Sequence, residues 1–96
     1  MSDKELYQQK LQAQLDVWKA DADKLKAKAS EATADAKIEL DKQLEVLEAK
    51  LEEGKAKLAE FADAGHDAWE SLKDSAESVW TSIKSSFSDA KDKFKH

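Results

Sequence analysis

The chain has no cysteine, no proline and no arginine, and only two glycines, Gly54 and Gly65. Each shortage excludes something. Without cysteine there are no disulfides, no zinc-thiolate centre and no thiol nucleophile, and the redox compartment cannot be read from the sequence. Without arginine, an acidic chain of net charge −5 lacks the bidentate guanidinium on which phosphate and base-edge recognition depend, so nucleic acid is not an expected partner. No run approaches the roughly 20 apolar residues of a membrane span, and the first ten residues, MSDKELYQQK, lack the apolar stretch of a signal peptide. The expected location is cytoplasmic.

What remains is helix-forming material. Charged residues make up 39% of 96 residues, and Ala, Glu, Lys and Leu dominate, a composition of long helices rather than sheets. Leu11, Leu15, Trp18, Ala22, Leu25, Ala29, Ala32 and Ala36 are spaced 4, 3, 4, 3, 4, 3, 4, a heptad seam. The seam steps by 4 and 4 through Leu40 to Leu44, a stutter, and resumes at Leu47, Leu51, Gly54 and Leu58. Gly54 therefore lies on the seam and reads as a point of close approach for a bulky side chain. On the outer faces, Asp16 with Lys19, Asp21 with Lys24, Asp23 with Lys26, Glu39 with Lys42, and Glu52 with Lys55 form i,i+3 pairs, each worth a few tenths of a kcal/mol.

One break is evident. Gly65 suits a helix C-terminus, and Asp67, followed three residues later by Glu70, suits an N-cap. The second helix ends in Lys91, Lys93 and Lys95, which complement the helix dipole. Its sequence WESLKDSAESVWTSIKSSF is the most aromatic of the chain. Trp69, Leu72, Ala76, Val79, Trp80, Ile83, Phe87, Ala90 and Phe94 share one face of about 120° at 100° per residue, flanked by Ser71, Ser75, Ser78, Ser82 and Ser85. The serines suit close packing against a neighbouring helix.

The expected fold is all-α and a single domain over residues 1–96: a helix over 4–62, a turn at 63–66 and a helix over 67–94, folded as a long antiparallel hairpin. A first helix of that length is roughly 88 Å long and the second roughly 42 Å, so the second leaves the N-terminal half of the seam uncovered. A second copy is then expected to cover it in an antiparallel dimer, with Leu11, Leu15, Trp18, Leu25, Trp69, Leu72, Trp80, Ile83, Phe87 and Phe94 as the oligomer or partner interface. The alternative is a three-helix bundle broken near Ser30 to Thr33, where no Gly or Pro marks a turn.

Chemistry is sparse. His66 and His96 are the only side chains that titrate near neutrality unperturbed, and the carboxylates are spread at surface spacing. His66 beside Asp67 gives too few ligands for a metal site. No catalytic residue, metal or other cofactor is expected, and the chain reads as a non-enzymatic scaffold working through self-association and helix–helix contacts. The alternative is a peripheral protein of membranes or lipid granules that inserts the aromatic helix between acyl chains. Five Lys against six acids in that helix favour a protein neighbour over an anionic membrane.

Glu5, Tyr7, Lys10, Leu11 and Trp18, then AKIE, LEAKLEEGKAKLAEF and AGHDAWESLK, with Trp80 eleven residues after Trp69, resemble a group of short bacterial coiled-coil proteins labelled stress-response proteins, of a cyanobacterial type. The resemblance covers nearly the whole chain and implies a cytoplasmic, stress-associated role; it carries no catalytic residues. A looser likeness of composition links the chain to phasins and exchangeable apolipoproteins.

Overall fold

The computed structural model of the chain describes residues 2–65 and 67–94. Among the described residues the protein is all-α, with three helices: α1 Asp3–Ser30, α2 Ala34–Asp63 and α3 Trp69–Phe94. They run up, down and up in a bundle measuring 51 × 20 × 18 Å. The expected continuous helix over 4–62 is therefore corrected to two, and the helix number is that of the three-helix alternative.

The break falls at Glu31–Thr33 and is made without Gly, Pro or a left-handed residue. Glu31 is still right-handed helical (φ −91°, ψ −7°); its N–H donates to the carbonyl of Lys28 at 3.1 Å, and the Ala32 N–H donates to that of Ala29 at 3.2 Å. Ser30 turns its hydroxyl onto the carbonyl of Ala27 at 2.7 Å. Thr33 is extended (φ −64°, ψ 161°) and starts α2 without a side-chain cap. Energetics explain why a single chain breaks here. Interrupting a helix forfeits up to four backbone bonds at about 0.5–1.5 kcal/mol each. Folding back buries Leu11, Leu15, Trp18 and Leu25, each worth about 1.5–3 kcal/mol. The second sum is the larger.

That burial also places the residues expected at an oligomer or partner interface. Leu11, Leu15, Trp18, Leu25, Trp80, Ile83 and Phe87 lie in the core of one chain, and Trp69, Leu72 and Phe94 are half-buried. The N-terminal half of α1 is not left unpaired: α3 runs beside it as well as beside α2. The seam on α2 is buried as expected at Leu44, Leu47, Gly54 and Leu58, whereas Ala32 is half-buried in the turn and Ala36 is exposed. A Cβ at Gly54 would stand 2.7 Å from Leu15 Cδ2 and 3.0 Å from Ile83 Cδ1, so this is the close approach of all three helices.

Helix α2 runs on to Asp63 rather than 62, and α3 begins at Trp69 rather than 67. Gly65 is not in the left-handed conformation expected of a Schellman cap. Instead its carbonyl accepts from the amides of Ala68 and Trp69 and so opens α3. The C-terminus of α2 has no basic residue of its own in its last turn. Lys4 of α1 supplies the charge, donating to the carbonyls of Ala62, at 3.2 Å, and Ala64. At the start of α1, Ser2 Oγ accepts from the Glu5 amide. The expectations attached to His66, Lys95 and His96 lie outside the described residues.

Candidate functional site

The aromatic residues of α3 meet those of α1 and α2 in two layers. Nearest the chain start, Tyr7, Phe61 and Trp69 pack with ring centroids 5.4–6.4 Å apart. Three turns further along α1, Trp18 stacks on Phe87 at 6.1 Å and tilts against Trp80 at 6.3 Å. Trp80 Nε1 donates to the carbonyl of Leu11 at 3.3 Å, so the indole carries no unpaired polar group into the core. These wide rings space α1 from α3, and Asp21 with Lys91, at 3.0 Å, closes the pair at its rim.

Tyr7 is the polar member of the first layer. Its hydroxyl donates to Glu77 Oε1 at 3.2 Å, and Lys73 Nζ lies 5.2 Å from its ring centroid. Burial first, then the charge and hydrogen bond of the Glu77 carboxylate, push the phenol up to about 12.

The serine flank of α3 is only partly used for packing. Ser82, half-buried, accepts from Lys50 Nζ at 2.9 Å, whereas Ser71, Ser75, Ser78 and Ser85 are exposed. Of the five expected i,i+3 ion pairs, Glu52–Lys55 at 3.5 Å is the one that closes among the described residues; Asp16 accepts from Gln12 instead, and Asp21 reaches α3.

A concave surface lies on the side of the bundle away from α3. A groove of about 860 Å³ runs between α1 and α2. Its floor is made by Leu15, Ala22, Leu51 and Leu58, and the alanines Ala49, Ala59 and Ala62 keep it open. Along α1 the rim is Gln12, Asp16, Lys19, Asp23 and Lys26; along α2 it is Glu45, Glu48, Glu52 and Lys55, continued by Ala59 and Ala62. These positions step 4, 3, 4, 3 on α1 and 3, 4, 3, 4, 3 on α2, a second heptad stripe on each helix parallel to the core seam. From Gln8 to Lys26 the groove is roughly 27 Å long, about five helical turns. Five carboxylates face three ammonium groups on its rim.

None of the residues expected at an interface other than Leu15 lines this groove. Sequence reasoning missed it because its stripes are charges and alanines, which hydrophobic periodicity ignores; the heptad spacing of the stripes was the available signal. Among the described residues no group of three or more His, Asp or Glu is gathered as for a metal ion, and no helix is long and apolar enough to cross a membrane. No protein-family model, curated protein or solved structure matches the chain.

Proposed function

We propose that the protein is a non-enzymatic scaffold, of the stress-associated kind its sequence resembles, that works by receiving an amphipathic helix of another protein in the groove between α1 and α2. The observation that carries this reading is the pair of heptad stripes bordering an apolar floor. A fourth helix laid there meets the same 3.5-residue repeat on both sides, which is the condition for continuous knobs-into-holes packing. Alanines on the α2 side admit a close approach, and the excess of carboxylates selects a partner with lysines along the flank that meets Glu45, Glu48 and Glu52. The lipid alternative fits less well, because the aromatic face that would insert is the core of the bundle.

The test uses two designed helices of about 21 residues with identical apolar faces, one flanked by lysines and one by glutamates. Fluorescence anisotropy is expected to show micromolar binding of the lysine helix, weakening with added salt, and no binding of the glutamate helix. Ala59→Arg, at the open part of the groove, is expected to abolish it. Equal binding of both helices, or binding by neither, rejects the reading.

A further inference from the structure

We propose that the Glu31–Thr33 connection is a two-state hinge, and that its straightening lets two copies of this chain exchange α1, so that each α1 packs on the α2 and α3 of the other copy. This is independent of what occupies the groove. Three features of the hinge lead to it.

First, the break is confined to Glu31–Thr33, and the φ of both Glu31 and Thr33 already lies on the helical side. Glu31 has helical angles, Thr33 has a helical φ of −64°, and the departure at Thr33 lies in its ψ of 161°. Nothing in KASEATADA, residues 28–36, forces a turn: there is no Gly, no Pro and no left-handed residue. Second, the heptad seam does not stop at the break. Leu25, Ala29, Ala32, Ala36 and Leu40 keep steps of 4, 3, 4 and 4, so a continuous helix through the hinge keeps both halves of the seam on one face. Third, α2 begins without a side-chain cap, and a continuous helix would give its first-turn amides the carbonyl partners they gain from no cap here.

The contacts made by α1 are the same whether α2 and α3 belong to its own chain or to another. Leu11, Leu15, Trp18 and Leu25 enter the same holes, Trp80 donates to the Leu11 carbonyl, Asp21 meets Lys91, and Lys4 caps the carbonyl of Ala62. The free-energy difference between monomer and exchanged dimer is therefore confined to the hinge and to concentration. The exchanged dimer has two continuous helices crossing at the hinge and roughly twice the 51 Å length of the monomer.

Two variants separate the states. Ala34 is the first helical residue of α2, and the extended Thr33 before it has the conformation that a residue preceding proline prefers. Ala34→Pro therefore fits the broken helix and not the continuous one. The double change Ser30→Ala with Thr33→Ala favours the continuous helix. After refolding at millimolar concentration, light scattering coupled to size exclusion is expected to show a dimer for the native chain. The double variant should raise the dimerisation constant on the order of tenfold or more, and Ala34→Pro should remain monomeric. Spin labels at Lys10→Cys and Glu53→Cys, in labelled chains diluted with unlabelled ones, are expected to be close in the monomer and roughly 65 Å apart in the dimer, the length of 43 helical residues. A native chain and double variant that stay monomeric, a dimer whose labels stay close, or an Ala34→Pro chain that dimerises as well as the native one overturns the proposal. Should Ala34→Pro fail to fold, the label distance in the double variant decides alone.

Discussion

The two ends of the bundle are built on different principles. At the end holding the chain start and the α2–α3 turn, and on to the middle, six aromatic rings fill the space between helices: Tyr7, Phe61, Trp69, Trp18, Trp80 and Phe87. At the hinge end the buried positions are aliphatic, Leu25, Leu44, Ala29 and Ala90, and Leu40 and Phe94 are half-buried. The alanines there are as fully enclosed as the rings, Ala29 at 2% exposure and Ala90 at 0%, yet each removes far less apolar area from water. Burial as a fraction and burial as an energy part company. The aromatic end buries more apolar area per side chain than the hinge end, and local opening belongs to the second.

The largest effect expected is at a ring. Phe87→Ala removes a side chain that is 2% exposed and stacked on Trp18, and should cost about 3–5 kcal/mol, a fall in Tm of more than about 10 °C for a domain of this size. Ala29→Gly at the hinge end should cost only about 1 kcal/mol, mainly helix propensity. Equal losses in thermal unfolding of the two variants would break the comparison.

A smaller effect sharpens it. Lys4→Met leaves the end of α2 without the ammonium on the carbonyls of Ala62 and Ala64, and should cost about 0.3–1 kcal/mol, less at high salt. A loss unaffected by salt would mean that the stem of Lys4 matters more than its charge.

The smallest effect at neutral pH is at Tyr7. Its neutral form is favoured in the fold, so the unfolded chain gives up the phenol proton first, near pH 10. The stability that Tyr7 contributes is then fully present below pH 10 and lost as pH rises towards about 12. Tyrosinate absorbance should therefore rise with a midpoint near 12 and should vanish in Tyr7→Phe; a midpoint near 10 would place the ring in open solvent.

Much of the packing was legible in the sequence and the connectivity was not. The seam from Leu11 to Ala29 and the positions Leu44, Leu47, Gly54 and Leu58 are buried as heptad spacing requires, because that spacing fixes which side of a helix faces inward whatever lies opposite. It says nothing about whose helix lies opposite. A seam that continues through Ala32 and Ala36 reads the same for a straight helix and for one folded at Glu31, and no Gly or Pro marks the fold. The start of α3 was misplaced by two residues because Asp67 looked like a cap, whereas the Gly65 carbonyl does the capping. The groove escaped because alanine registers as neither core nor surface in a periodicity argument, although Ala49, Ala59 and Ala62 decide where a fourth helix fits.

The order of the three helices also sets a timetable. Helix α2 meets α1 as soon as the chain turns at Glu31, but the contacts between α1 and α3 join residues far apart in sequence: Leu11 with Trp80, separated by 69, and Tyr7 with Glu77, separated by 70. A chain made from its N-terminus has both partners of the α1–α2 pair long before it has Trp80 or Phe87. During that interval Trp18, made early and enclosed late, lacks the Trp80 and Phe87 rings it packs on. The last stretch to be added is thus the one that closes the core, and a chain that stops short of Phe87 lacks the ring that stacks on Trp18.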